Sequence, residues 1–230
     1  MIDVRRAAER SVTSLPGVIT RHSFSFGRHN DPGNVAFSAL VAHNDDLLQP
    51  GAGYETHPHA DTEIVTWVLS GALLHEDSTG ERAVVTPGQV QRLRAGTGVR
   101  HSEHADPGRG PTRFVQMWLR PDELGVQPSY AVADVATSTG LVAVASGIPV
   151  VRAAVAVDVC GAALHVARLA AAETVELPSA PHLHVFAVRG SADIGPAAVL
   201  EEGDAVRLTD EPAPVLTART PAEVLVWQLP

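Results

Sequence analysis

Two short triplets could carry chemistry in this chain. His57-Pro58-His59 and His101-Ser102-Glu103 each hold two metal-competent side chains two residues apart. Alternate residues of a β-strand point to the same face, so each triplet can present two donors side by side. Two such strands facing each other inside a small barrel bring three imidazoles and one carboxylate around one point. These donors are nitrogen and oxygen with no thiolate, which suits Fe(II), Mn, Ni, Cu(II), Co or Zn and leaves coordination positions open for a ligand. Spacing does not choose among these ions.

The surrounding sequence predicts the strands that such a site needs. Glu63 to Leu69 is β-branched and aromatic and ends at Ser70-Gly71. Ala83 to Thr86 runs into a turn at Pro87-Gly88, and Gln89 to Leu93 alternates polar and apolar. Earlier, a strand with a mixed face leads to a turn at Leu15-Pro16-Gly17, His22 to Gly27 alternates, and Val35 to Val41 reads as a strand. Phe114 to Leu119 closes the first half. The scatter of 19 Gly and 17 Pro suits many short strands joined by turns.

In order and spacing, HPHxxxE at 57–63, the Ser70-Gly71 turn, HxDS at 75–78, PGxVQ at 87–91 and AGTGxxHSE at 95–103 resemble the pirin family of the cupin superfamily. The likeness is greatest to bacterial pirins similar to quercetin 2,3-dioxygenases. It implies an all-β bicupin: two consecutive antiparallel β-barrels of the jelly-roll or cupin type, with metal in the N-terminal one. The implied ligands are His57, His59, His101 and Glu103, around one divalent ion that the resemblance makes Fe(II). Glu63 competes for the carboxylate position, because the broader cupin pattern uses a glutamate there as a ligand. The pirin pattern uses the Glu103 position, so Glu63 is expected to line the cavity and to help move a proton.

His104, His75, His22, His29 and His43 are expected to be structural or solvent-facing, and Cys160, in an apolar run, to be a buried and inert thiol. One cysteine excludes an intramolecular disulfide framework and a cysteine-based zinc site. The net charge of −9 argues against nucleic-acid binding through a basic surface. No apolar run is long and uninterrupted enough to span a membrane, and the charged residues at 3–6 do not resemble a signal peptide. A soluble cytoplasmic protein is expected.

A faint internal repeat divides the chain. Val68 to Ala72 resembles Val188 to Ala192, and Pro87 to Leu93 resembles Glu202 to Leu208. The boundary is set at 135/136, giving a metal-bearing barrel over 1–135 and a cupin-like barrel without a metal site over 136–230. His57 and His59 lie fourteen and twelve residues before Gly71, and those offsets from Gly190 reach Glu176 and Pro178. The offsets of His101 and Glu103 from Gly88, carried to Gly203, reach Leu216 and Ala218. The ligand set is therefore not repeated, and His182-Leu183-His184 corresponds to the Glu63 region instead.

The resemblance implies an enzyme that cleaves flavonols such as quercetin with O2, in which Glu103 or Glu63 takes the proton of the substrate hydroxyl. Its partners are then a small flavonol-like aromatic and O2. An alternative is a non-catalytic, metal-dependent regulatory pirin with a protein partner. A metal-dependent isomerase or hydrolase on the same scaffold is a third reading. No nucleophile elbow, P-loop or dinucleotide fingerprint is present.

Overall fold

The computed structural model describes residues 1–135, 139–195 and 198–230. Among them there is no α-helix, and no helix long and apolar enough to cross a membrane. One 3-10 turn at Ala7–Glu9 interrupts an otherwise all-β chain. In chain order the strands are β1 (Ile2–Arg5), β2 (Ser11–Leu15), β3 (Val18–His22), β4 (Leu40–Leu48), β5 (Gly53–His59), β6 (Glu63–Ser70) and β7 (Leu73–Asp77). There follow β8 (Arg82–Val85), β9 (Gln89–Arg94), β10 (Val99–Ala105), β11 (Thr112–Leu119), β12 (Ser129–Asp134), β13 (Gly140–Ser146), β14 (Val155–Ala156) and β15 (Ala163–Leu169). The last are β16 (Thr174–Glu176), β17 (His182–Arg189), β18 (Ala192–Ile194), β19 (Ala198–Leu200), β20 (Ala205–Thr209), β21 (Val215–Ala218) and β22 (Ala222–Leu229).

Two compact units result. The first comprises residues 11–135 and 154–159; the second comprises residues 1–10, 136–153 and 160–230. The expected boundary at 135/136 abuts residues 136–138, which lie outside the described residues. The first ten residues go with the second unit, because β1 pairs with β20 there.

The first unit holds two antiparallel sheets, ordered β12-β9-β6-β11-β4-β3-β2 and β5-β10-β7-β8. Alternation decides what faces inward. β10 buries Val99, His101, Glu103 and Ala105, and β7 buries Leu73, His75 and Asp77, while the residues between them are less buried. Leu48, Val68 and Phe114 from the larger sheet pack with Leu73, Val85 and Ala105 from the smaller one. Burying such side chains contributes about 1.5–3 kcal/mol each. The second unit repeats the plan, with sheets running β1-β20-β17-β22-β15-β13 and β16-β21-β18-β19. Its core includes Leu183, Val185, Ile194, Leu216, Val224 and Val226.

Three local expectations are corrected. The strand expected at Val35–Val41 is instead β4, Leu40–Leu48, which buries His43-Asn44-Asp45-Asp46. Four polar residues in a row are unusual in a buried strand, but Asp45 meets the Arg113 guanidinium at 3.0 Å and Asp46 takes hydroxyl donors, so the strand tolerates them. The strand expected over His22–Gly27 ends at His22, and a tight turn follows in which Phe26 and His29 exchange backbone hydrogen bonds across Gly27-Arg28. Cys160 is exposed rather than buried, since it stands at a turn with Gly161, whose φ is +79°.

Candidate metal centre

β5 and β10 are hydrogen-bonded neighbours in one sheet, not opposed strands, and His57 stands directly across from His101. Cross-strand neighbours of this kind bring side chains into contact. The ring centroids of His57 and His101 are 4.5 Å apart, those of His57 and His59 4.8 Å, and those of His59 and His101 4.9 Å. One donor nitrogen from each of the three lies within 4.8 Å of the others.

The free nitrogens identify what the cluster can do. His57 Nδ1 lies 2.8 Å from the Glu55 carbonyl, so it is the protonated nitrogen and Nε2 keeps its lone pair. The Nε2 atoms of His59 and His101 are buried with no hydrogen-bond partner. Burial, with the neighbouring imidazole charges opposing a second proton, lowers His59 to about 4. His101 is likewise lowered to about 4, by burial first, despite the opposing pull of Glu103. Neutral, unpartnered and converging imidazoles fit a divalent cation of the kind that takes nitrogen and oxygen donors.

Glu103 falls in a second, overlapping group with His101 and His75, its carboxylate oxygen again within 4.8 Å of both. A β-bulge between His101 and Glu103 sets its partner: Glu103 pairs with Tyr54, three residues before His57. The extra residue on β5 turns Tyr54 inward and leaves the Glu55 side chain 94% exposed. Gln91 Nε2 donates to Glu103 Oε1 at 2.9 Å, and Gln116 Nε2 donates to Oε2 at 2.7 Å. Each amide is held that way round. Tyr130 Oη donates to Gln91 Oε1 at 2.7 Å, and the Trp118 indole N–H, which can only donate, reaches Gln116 Oε1 at 3.1 Å. Burial alone would raise the Glu103 carboxyl, but His75, His101 and Gln116 outweigh it and hold it at about 2. Glu103 is thus a fixed anion.

His75, expected to be merely structural, stands behind His101. His75 Nε2 lies 3.3 Å from Asp77 Oδ2, and Asp77 is itself fixed by the hydroxyl and amide of Thr79 and by the Glu81 amide. His75 Nδ1 is 3.5 Å from His101 Nδ1 and 4.0 Å from Glu103 Oε1. The first is the limit of a hydrogen bond and the second only an ion-pair distance. A proton on His101 Nδ1 leaves Nε2 as the donor to a cation. The alternation in Leu73-Leu74-His75-Glu76-Asp77 was the available signal, since it puts His75 and Asp77 on one inward face as the ligand triplets do.

Glu63 is placed elsewhere. A turn containing Asp61 (φ +49°) breaks the phase between His59 and Glu63, so Glu63 begins β6 in the other sheet. There it opposes Arg94 and accepts from its Nε at 2.7 Å, and Arg94 also binds Asp158 at 2.6 Å. Burial raises the Glu63 carboxyl, against the pull of Arg94. It belongs to neither metal-competent group and does not line the cavity described next.

That cavity, of about 460 Å³, lies between the two sheets of the first unit and has His57, His59 and Glu103 in its wall. Its volume is within the range of small-molecule sites. Phe26 stacks on His22 at 4.9 Å and meets the Trp118 ring edge-on at 5.3 Å, and Trp118 in turn meets His59 at 4.8 Å. A polar wall faces these rings. Thr20 on β3 opposes Asp46 on β4, and His22 opposes Asn44, all four buried and all lining the cavity. Neither Asp46 nor Tyr54 stood out in the sequence, because Asp46 follows the expected strand in a polar run given no element and the bulge at Tyr54 has no local signature.

Comparison with known proteins bears on family and fold. Residues 4–119 match the Pirin family model, and residues 160–229 match the model of the quercetinase C-terminal cupin domain. A Mycobacterium tuberculosis protein named "putative quercetin 2,3-dioxygenase" is 48% identical over 99% of this chain and 95% of its own length. An Escherichia coli quercetin 2,3-dioxygenase is 42% identical over 56% of each chain. The crystal structure of a bacterial pirin from Escherichia coli in complex with nickel(II) superimposes with a TM-score of 0.91 at 31% identity, covering 100% of this chain and 99% of that one. The fold is the all-β bicupin that the motifs imply, and the chain belongs to the pirin family.

Proposed function

We propose that this chain is a metal-dependent dioxygenase that opens the heterocycle of flavonols such as quercetin, with His57, His59, His101 and Glu103 holding one divalent ion, Fe(II) by family resemblance. The observation that carries the reading is the cluster of His57, His59 and His101, with the Nε2 atoms of His59 and His101 unpartnered, beside a cavity that His57 and His59 line together with Phe26 and Trp118. When bound, such an ion acts as a Lewis acid that lowers the pKa of a coordinated hydroxyl and so favours the electron-rich flavonolate, which O2 can oxidise. Ring opening with release of carbon monoxide follows by family resemblance.

The chain's own residues bind, orient and exclude water. Phe26 and Trp118 line the cavity and supply aromatic surface for a planar ligand. Glu103 is held ionised by two amide donors, which suits it to balance cationic charge and makes it a weak base. The division into a metal-bearing unit ending near 135 and a following unit without the ligand set is part of the same reading.

The test is loss of the flavonol absorbance band in protein reconstituted with Fe(II), Ni(II), Mn(II), Co(II), Cu(II) or Zn(II), under air and under nitrogen. Decay is expected only with both O2 and metal present. An equally fast decay with His101→Ala protein would show uncatalysed autoxidation. No decay with any of these metals and several flavonols would leave a non-catalytic, metal-dependent binding protein as the reading.

A further inference from the structure

The polar wall of the cavity contains a carboxylate, Asp46, that forms no ion pair among the described residues. Asp46 is 2% exposed and comes from the middle of β4, opposite Thr20. Thr20 Oγ1 lies 2.5 Å and Tyr54 Oη 2.6 Å from Asp46 Oδ1, and the two hydroxyls are 2.6 Å from each other. Both bind the same oxygen, so Oδ2 is the one left to meet a ligand in the cavity that Asp46 lines. Tyr54 ties this group to the metal-competent cluster: its ring is 6.4 Å from that of His57, and its strand position opposes Glu103.

The inference rests on the flavonol reading above. Oxidation needs the substrate hydroxyl to lose its proton, and the two carboxylates expected to accept it are unsuited. Glu103 has one oxygen committed to the Gln91 amide and the other to the Gln116 amide, and Glu63 is bound to Arg94 away from the cavity. His22 lines the cavity, but Nε2 is engaged by Thr13 at 2.8 Å and Nδ1 by Asn44 at 2.9 Å. We propose that Asp46 is the catalytic base of this site, its Oδ2 accepting the proton from the enolic hydroxyl of a bound flavonol. The substrate O–H bond breaks, its electron pair stays on the substrate oxygen as the flavonolate, and Asp46 becomes the neutral acid. Tyr54 and Thr20 hold Oδ1 and so aim Oδ2.

The environment suits the task. Burial raises the Asp46 carboxyl to about 7, against the lowering by Thr20 and Tyr54, and the charges of Asp45 and Glu103 add to the rise. A base titrating near the working pH is the efficient one. The titratable and charged groups around it are Asp45, which is paired with Arg113, His22 on β3, Tyr54, His57 and His59 on β5, Glu103 on β10, and Arg28 in the same cavity wall.

Anaerobic binding of quercetin to the metal-loaded protein at pH 8 separates this step from oxidation. In the wild type the bound ligand should show the flavonolate band with no proton released to a weakly buffered indicator solution, because the new anion beside Asp46 raises its carboxyl further and keeps the proton on it. A protonated-carboxyl carbonyl stretch should appear in the infrared difference spectrum. Asp46→Asn, which keeps an acceptor for Thr20 and Tyr54, should retain metal and lack that stretch. It should either leave the flavonol neutral or release about one proton per ligand ionised. Under air its kcat should fall by about 10²–10⁴-fold, the usual contribution of a general base, and Asp46→Glu should recover part of the loss. Proton release and spectra identical in wild type and Asp46→Asn would overturn the assignment, as would a wild type that binds the flavonol without ionising it. A wild type that ionises the ligand onto Asp46 yet consumes no O2 would refute the dioxygenase reading and leave the base in place.

Discussion

Glu103 and the imidazoles around it are prepared for a cation by what their other atoms touch. Gln116 offers the clearest handle, since its amide donates to Glu103 while its carbonyl is pinned by Trp118. Gln116→Leu removes one of two donors to a buried carboxylate, and partners of this kind typically contribute 10–100-fold to metal affinity. A loss of that size is expected in a chelator-competition titration, and an unchanged titration would mean that Glu103 is not a ligand. The imidazoles make a second prediction. His59 and His101 stand at about 4 in the metal-free protein, against about 6.5 for a free imidazole. Between those values the unfolded chain binds protons that these native imidazoles refuse, so their contribution to stability is full above 6.5 and is lost as pH falls toward 4. Proton competition with metal at these two residues should likewise begin only near pH 4. NMR titration of the metal-free protein should show two imidazole signals, assigned by His59→Ala and His101→Ala, moving near pH 4. Midpoints near 6.5 would contradict the burial argument.

At the scale of strands, legibility followed alternation. β6 and β11 were readable as β-branched and aromatic runs that are buried along most of their length, while the i, i+2 triplet on β10 was readable because that strand alternates in burial. β4 was not. Its His-Asn-Asp-Asp run carries turn chemistry locally and becomes a buried strand only because Arg113, Thr20 and Tyr54 arrive from elsewhere in the chain. The bulge on β5 was also invisible, and with it went the phase of Tyr54 and the exposure of Glu55. Glu63, expected at the cavity from the cupin pattern, stands beyond a turn at Asp61 and begins a strand of the other sheet, and nothing local in the sequence marks that change of sheet. The bulge rests on close backbone contact at Gly53, where an added Cβ would meet the Glu103 carbonyl and lie 2.6 Å from His104 Cα. Gly53→Ala should therefore force β5 away from β10. A destabilisation of about 1–3 kcal/mol, typical of overpacking, is expected in urea unfolding, together with weaker metal binding. Normal stability with normal metal affinity would show that the strand pair is looser than this contact implies.

At the scale of the molecule, one plan is used twice and equipped once. The order β9-β6-β11-β4-β3 in one unit matches β20-β17-β22-β15-β13 in the other, and β5-β10-β7-β8 matches β16-β21-β18-β19. Gly71 and Gly190 turn the chain at equivalent junctions with φ of +71° and +69°, as Gly88 and Gly203 do with +90° and +87°. Those four glycines carried the repeat in the sequence because only a residue without a side chain takes that conformation cheaply. Between the fixed turns the strands diverged. The strand pairing shifts the expected correspondence by two residues: Ala218 matches Ala105, Leu216 stands where β10 carries Glu103, and Pro214 falls at the place of His101. Leu216 and Ala218 are buried in an apolar cluster with Val185, Ile194 and Val224. Hydrocarbon there stabilises the second unit and offers a cation no donor. His182 and His184 do not replace the missing set: they lie on β17, the counterpart of β6, and His182 Nδ1 is already 2.6 Å from the Pro230 carbonyl. Metal content should therefore be one ion per folded chain in the wild type, none in His101→Ala, and still one in the double variant His182→Ala/His184→Ala, counted by elemental analysis on the monodisperse fraction. A wild-type value of two that falls to one in the double variant would place a second site on β17 and break the correspondence between the two units.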